Sequence, residues 1–327
     1  DKSLSKRSMK KLINLMEMFG ATFLPKNKVT FPLTIKSSNM PIGIKYEAGI
    51  SAQLKSAVIL AGLNANGVTE VIEYKKSRDH TENMLLDNSN VIKIKKIDKG
   101  QNCIKIFGKK FLNPQKINVC GDPSSAAFFT ALTLLTPKAK LTIKNVGLNP
   151  RRIGFYKLLK KNGAKISFKK IKKFNNEFVG DIEVKHSNLR AIKAGPEFYV
   201  SATDEYPILF VTAALVKGIS IFRGISDLVN KESNRILEMK KILNQINVKS
   251  KISKNEFKIY GQGMIDAGTK KVFVANLGDH RICMSAFILA LLTGVKTKIK
   301  NFETVFTSSP SFLQIMKKLG VKFEIQK

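Results

Sequence analysis

Two kinds of helix alternate along this chain, and their alternation constrains the fold more than any other feature. One kind is nearly all apolar and opens on a small or acidic residue, at 51–63, 122–135, 204–216 and 279–292. A helix that is apolar all round is one enclosed on every side. The other kind carries lysine on one face and apolar residues on the other, at 8–19, 78–86, 150–162, 232–246 and 310–319. Three of these run into a glycine stop, at Gly20, Gly163 and Gly320, followed by strand-forming residues. The repeat is roughly 70–80 residues long, beyond the usual solenoid unit. β-rich runs at 141–146, 181–184, 219–222 and 298–302 fill the gaps. The pattern predicts an α/β (α+β) chain of four complete units of buried plus surface helix, preceded by the second half of a fifth. A turn signal at Cys120-Gly121-Asp122-Pro123 predicts a boundary near 120, giving domains 1–119 and 120–327.

A chain of 327 residues is long enough for two cores, which agrees with that division. Its 57 basic and 24 acidic residues give a formal net charge of +33. Only eight of the basic residues are arginines and 49 are lysines, dispersed over the amphipathic helices. A surface that reads nucleic acid leans on arginine forks and interleaved aromatic residues, and this chain has no tryptophan. The expectation is therefore no nucleic-acid partner. Apolar runs fall short of the ~20 residues that span a bilayer, and no secretory leader is visible. No membrane association is expected. Cys103, Cys120 and Cys283 are widely spaced and form no CxxC pair, which points to a reducing cytoplasm rather than a disulfide framework or zinc site. The chain begins at Asp1, on a helix-start signal, and reads as a piece of something longer.

Read alone, the local motifs are modest. Lys231-Glu232-Ser233-Asn234-Arg235 reads as the first turn of an amphipathic helix, with Lys231 and Arg235 on one face. Asp204 and Asp279 read as N-caps of buried helices, as does Asp122 before Pro123. Asp279-His280-Arg281 is electrostatically awkward, because two basic residues sit where the helix dipole is already positive. A bound anion would resolve that conflict. No P-loop, dinucleotide fingerprint or HExxH occurs, so metal and dinucleotide sites are not expected.

Taken together, in order and spacing, the motifs are more specific. DKSLSKRSM (1–9), SAQLKSAVILAGL (51–63), SRDHTENML (77–85), GDPSSAAFF (121–129), DEYPIL (204–209), KESNR (231–235) and DHRICMS (279–285) resemble the 5-enolpyruvylshikimate-3-phosphate synthase family, in its bacterial class II branch. The likeness covers essentially the whole chain. It implies two domains built of βαβαββ units. It also implies that about a hundred residues are missing at the N-terminus, with a glycine-lysine-serine segment and a GNAGT-like loop that the family uses. On that ground the chain by itself is expected to have little or no transferase activity. Ser8 and Asn234 depart from the family's usual proline and aspartate.

The resemblance implies transfer of an enolpyruvyl group from phosphoenolpyruvate to the 5-hydroxyl of shikimate 3-phosphate, by a monomer, without metal or organic cofactor. Arg7, Arg235, Arg281 and His280 would bind phosphoenolpyruvate, with the three arginines converging on one cleft. Ser51, Ala52, Gln53, Arg78, Asp204 and Lys231 would bind shikimate 3-phosphate. Asp204 would act as base for the 5-hydroxyl and Glu232 as proton donor and acceptor at the methylene carbon. Two substrates with about six negative charges need arginine forks, and four of the eight arginines fall in these motifs. The alternatives are an inactive fragment of such an enzyme, the related transferase acting on UDP-N-acetylglucosamine, or a basic nucleic-acid-binding protein. The related transferase presents a cysteine on a loop near its catalytic arginine, and none lies near Arg7.

Overall fold

The computed structural model describes residues 2–5, 7–98, 100–265, 268 and 270–325. Asp1 and Lys6 of the first motif lie outside them. The chain divides into unit 1, Asp1–Val119 with Lys173–Phe178, and unit 2, Cys120–Lys172 with Val179–Lys327. Among the described residues no helix is long and apolar enough to cross a membrane.

Unit 1 opens with α1 (Lys2–Ser5) and α2 (Lys10–Met18), followed by an antiparallel pair, β1 (Thr22–Leu24) and β2 (Thr34–Lys36). A complete βαβαββ unit follows: β3 (Lys45–Ala48), α3 (Ala52–Asn64), β4 (Val68–Glu73), α4 (His80–Leu85), β5 (Ile92–Asp98) and β6 (Gln101–Phe107). The sheet order is β3-β4-β6-β5. The β3–β4 pair is parallel, so its connection must cross the sheet, and α3 is that crossover. The other two pairs are antiparallel: β5 and β6 form a hairpin, and β6 then inserts between β5 and β4.

Unit 2 repeats the plan. Its first repeat holds α5 (Pro123–Leu135), β7 (Lys140–Gly147), α6 (Gly154–Lys161), β8 (Lys165–Phe174) and β9 (Glu177–Lys185), in sheet order β7-β9-β8. Gly121 bridges Val146 in parallel, in the place of the missing first strand. The second repeat is β10 (Lys193–Ala194), α7 (Tyr199–Ala202), α8 (Tyr206–Ala214), β11 (Gly218–Arg223), α9 (Arg235–Gln245), β12 (Ser250–Ser253) and β13 (Glu256–Gly261). Its order, β10-β11-β13-β12, matches that of unit 1. The third is β14 (Lys271–Val274), α10 (His280–Thr293), β15 (Lys296–Ile299) and α11 (Phe312–Lys318), with β14 and β15 parallel. The expected alternation of helices is thus present, but among the described residues no strand follows Gly320, so the strand expected there and the closing strand pair of the third repeat are not formed.

Two backbone features mark the repeat. Gly108 and Gly261 stand at corresponding ends of β6 and β13, each against the last turn of the crossover helix. A Cβ on Gly108 would lie 1.8 Å from the Ala65 carbonyl oxygen, and one on Gly261 2.0 Å from that of Val216. The second feature is the exit of each surface helix. Gly20, Gly163 and Gly320 have φ of +87°, +98° and +84°, and the next residue's N–H reaches back to Met16, Leu159 and Met316 respectively. This is the Schellman closure. α9 ends the same way with Asn247 at φ 59° and Val248 N–H on Leu243, an exit the glycine pattern missed because asparagine also tolerates that conformation.

Several expectations are corrected. α5, α8 and α10 are enclosed, and every residue of α8 is buried. Phe210 of α8 packs edge-on against Phe222 and Phe257 at centroid distances of 5.0 and 4.9 Å. α3 is different: it buries Lys55, Val58, Ile59 and Gly62, and leaves Leu60 49% exposed. An apolar sequence therefore did not mean enclosure there. The helix expected over 232–246 begins at Arg235, because Asn234 caps it by accepting the Leu237 N–H at 3.1 Å. The strand expected at 298–302 is β15, and Phe302 instead opens a 3₁₀ turn.

Candidate active site

In unit 2 the three enclosed helices α5, α8 and α10 pack on one another, and α9 packs on α8 and α10. Each element brings chemistry at its N-terminal end. Asp122 caps α5 by accepting the Ser125 N–H at 2.8 Å. Asp279 caps α10 by accepting the Arg281 and Ile282 N–H groups at 2.9 and 3.4 Å. Asp204 is not a cap: 203–205 form a turn in helical conformation leading from α7 into α8, and Glu205 occupies the cap position without a capping bond. A chain already winding helically needs no side chain to start the next helix.

Arg235 is the hub. Its Nε donates to Asp279 Oδ2 at 3.0 Å and its Nη2 to Glu232 Oε2 at 2.6 Å, while Nη1 stands 3.8 Å from Asp204 Oδ1. Only 1% of the Arg235 side chain is exposed. Burial works against its charge, but Asp279, Glu232 and Asp204 outweigh burial and hold the guanidinium protonated. Nη1 is buried and has no hydrogen-bond partner among the described residues. Ser233 adds a bond to Asp279 Oδ2 at 2.9 Å. Burial raises the Asp279 carboxyl, yet Arg235 and Ser233 hold it below the usual range.

The basic residues that follow the α10 cap behave differently from each other. Burial, then Arg281 and Arg235, push the His280 imidazole down to about 4, so it is neutral at pH 7. Arg281 is buried, and its Nε has no hydrogen-bond partner. The awkward pair thus resolves into one charge and one neutral ring. One turn along, burial and Asp279 push the Cys283 thiol up to about 12, which leaves it protonated and inert.

The expected shared face of Lys231 and Arg235 is not formed, because Lys231 lies ahead of the helix. Its Nζ pairs with Asp227 Oδ2 at 2.7 Å, the oxygen that also accepts the Tyr199 hydroxyl at 2.7 Å. Asp204, Lys231, Glu232, Arg235, His280 and Arg281 all belong to unit 2. Sequence reasoning missed the neighbouring network. Arg152 Nη2 donates to Asp122 Oδ1 and Ser124 Oγ, both at 2.8 Å. Glu205 is buried, and among the described residues neither of its carboxylate oxygens meets a donor in bonding geometry. Burial, then Asp204, push its carboxyl up to about 7, against lowering by Ser124, Arg281 and Arg152. The signal was the second acidic residue of DEYP, read only as part of a motif.

The other expected residues lie in unit 1. Ser51 caps α3, accepting the Leu54 N–H at 3.4 Å, with Ala52 and the exposed Gln53 in the first turn. Arg78 is half-buried between β4 and α4. Arg7 is half-buried after α1, its N–H donating to the Leu4 carbonyl at 3.0 Å.

The chain is similar to known proteins along essentially its whole length. The family described as EPSP synthase (3-phosphoshikimate 1-carboxyvinyltransferase) matches residues 1–316. A 3-phosphoshikimate 1-carboxyvinyltransferase of Zymomonas mobilis is 39% identical over 99% of this chain and 72% of its own length. One from Sphingopyxis alaskensis is 38% identical over 95% of this chain and 71% of its own. The structure is similar to EPSP synthase from Acinetobacter baumannii, with a TM-score of 0.84 and 32% identity, over all of this chain and 74% of that one. The enolpyruvyl transferase NikO from Streptomyces tendae shares the fold at a TM-score of 0.74 and 15% identity. The chain belongs to the EPSP synthase (3-phosphoshikimate 1-carboxyvinyltransferase) family.

Proposed function

We propose that the residues gathered on Arg235 carry out the enolpyruvyl transfer after which the family is named. The donor is phosphoenolpyruvate and the acceptor the 5-hydroxyl of shikimate 3-phosphate. The observation that supports this reading is that Asp204 and Glu232 are both held on the one buried guanidinium whose Nη1 is still unbonded. A site that holds two carboxylates beside free arginine donors can move protons and bind an anion at once.

Glu232 delivers a proton to the methylene carbon of phosphoenolpyruvate while Asp204 takes the proton of the 5-hydroxyl. The 5-oxygen adds to C2, forming the new C–O bond. Removal of a methyl proton by Glu232 then restores the double bond as the C2–O bond to phosphate breaks. The departing phosphate takes up the proton that Asp204 removed and leaves as inorganic phosphate, so both carboxylates are restored and atoms and charge balance without an added oxidant or co-reactant. Arg235 Nη1, Arg281 and Arg7 hold the donor's phosphate and carboxylate, and neutral His280 hydrogen-bonds beside them. Ser51, Ala52, Gln53, Arg78 and Lys231 seat shikimate 3-phosphate. N-termini of enclosed helices add fixed positive potential for both anions. We place the enzyme in the cytoplasm as a monomer that needs no metal or organic cofactor. Phosphate release by the chain completed to its relatives' length tests the reading, since this chain spans 72% of the Zymomonas mobilis relative: release should require both substrates together. Release with phosphoenolpyruvate alone, or none with both present, would overturn it.

A further inference from the structure

Lys55 lies on α3 one turn beyond Ser51, and its side chain is completely buried. Its Nζ stands 2.7 Å from Glu73 Oε1 and 2.5 Å from Glu82 Oε1, carboxylates whose side chains are 1% and 3% exposed. Glu73 ends β4 and Glu82 belongs to α4. The same Glu73 Oε1 accepts the Ser77 N–H at 2.9 Å and the Ser77 hydroxyl at 3.1 Å. Asn102 Nδ2 reaches Glu73 Oε2 at 3.5 Å. One buried ammonium therefore ties the first turn of α3 to the end of β4 and to α4, and through Glu73 it fixes the residue immediately before Arg78.

Such a cluster is not explained by stability. Replacing a buried ion pair or triad by apolar side chains is commonly neutral or stabilising, so desolvating three charges here costs free energy that packing alone would not. Glu82 Oε2 even lacks a hydrogen-bond partner. Burial, with Glu73 adding to it, raises the Glu82 carboxyl against the pull of Lys55. What the cluster does provide is a fixed geometry between two segments that carry binding residues. Outer supports of that kind typically change the function of the groups they hold by about 10–100-fold.

We propose that Lys55, Glu73 and Glu82 are positioning residues for shikimate 3-phosphate, holding the Arg78 turn in register with Ser51, Ala52 and Gln53. The inference rests on the assignment of those four residues to that substrate. It requires that the Glu73–Ser77 link matter for binding, whereas a nearby link that bypasses Lys55 should not. Ser56 Oγ and Thr81 Oγ1, 2.7 Å apart, join α3 to α4 without touching the cluster and supply the control.

The experiment compares Ser77→Ala, Ser56→Ala and the triple variant Lys55→Met/Glu73→Gln/Glu82→Gln, which removes the buried charges together and keeps their shapes. In the chain completed to its relatives' length, shikimate 3-phosphate affinity is measured by titration calorimetry, and phosphate release gives KM and kcat, with thermal unfolding as the check on folding. Ser77→Ala and the triple variant should weaken shikimate 3-phosphate about 10-fold in both Kd and KM. Ser56→Ala should not, and kcat and the KM for phosphoenolpyruvate should stay within about twofold throughout. Equal weakening by Ser56→Ala and Ser77→Ala, or none by either, would overturn the inference. So would a fall in kcat and in both affinities that tracks lost thermal stability. Arg78→Ala separates the two levels. If it leaves shikimate 3-phosphate affinity unchanged, the site assignment itself is wrong. If it weakens binding while Ser77→Ala does not, only the positioning role fails.

Discussion

Asp279 grips Arg235 through Oδ2, 3.0 Å from Nε, and uses Oδ1 to accept the Arg281 N–H at 2.9 Å. One carboxylate thereby fixes the first residues of α9 and α10 together, and with them Glu232 and Arg281. Asp279→Asn keeps a cap but leaves a buried guanidinium short of its main partner. Denaturant unfolding should show a loss of about 3–5 kcal/mol. A loss below about 1 kcal/mol would mean that Glu232 and Asp204 suffice to hold Arg235.

Glu232→Gln retains the hydrogen-bonding shape beside Arg235 but cannot give up and retake a proton. In the completed enzyme, turnover in phosphate release should fall by about 10²–10⁴-fold with little change in either KM. A raised KM with unchanged kcat would make Glu232 a binding residue instead.

Two buried groups give stability opposite pH slopes. The Glu205 carboxyl, raised from 4.5 to about 7, holds a proton in the folded state that the unfolded chain has released, so its contribution is lost as pH rises through that window. His280, lowered from 6.5 to about 4, is neutral when folded and charged when unfolded, so its contribution is lost as pH falls from 6.5 to 4. Between pH 4.5 and 6.5 the two oppose each other. Urea midpoints across this range should rise more steeply with pH in Glu205→Gln and less steeply in His280→Asn. Proton NMR of His280 should show no titration above pH 5.5, about 1.5 units over its folded value.

Gly261→Ala would place a Cβ 2.2 Å from the carbonyl oxygen of Ala213, in the last turn of α8, and 2.0 Å from that of Val216, just beyond it. Neither acceptor can move without shifting the end of α8, so thermal unfolding should register a loss of about 1–3 kcal/mol. An unchanged melting temperature would show that β13 slides freely past the helix.

Asn247→Gly should be neutral or stabilising by up to about 1 kcal/mol, because glycine adopts the positive φ of the α9 exit at no steric cost. Asn247→Ala should destabilise by about 1–2 kcal/mol. The pair of variants is read by urea midpoint, and equal effects would argue against the Schellman closure.

By itself the sequence determined the repeat, because hydrophobic periodicity and glycine stops are local signals. The apolar stretches of α5, α8 and α10, and the exits at Gly20, Gly163 and Gly320, needed no knowledge of the rest of the chain. Asp122 and Asp279 were legible as caps for the same reason, since a cap bonds within three residues of itself. What the tertiary structure decided was every relation between distant residues. Nothing local distinguishes Lys55 from a surface lysine, and only β4 and α4 closing over α3 make it a buried cation between two carboxylates. Asp204 looked like a cap until the turn from α7 showed that none was needed. Glu205, Arg152 and the split in charge between His280 and Arg281 arise from burial and from groups up to about a hundred and fifty residues apart, which meet because helices α5, α8 and α10 pack together. Desolvation and charge pairing act through space, and a linear chain holds no record of which charges will share a buried site.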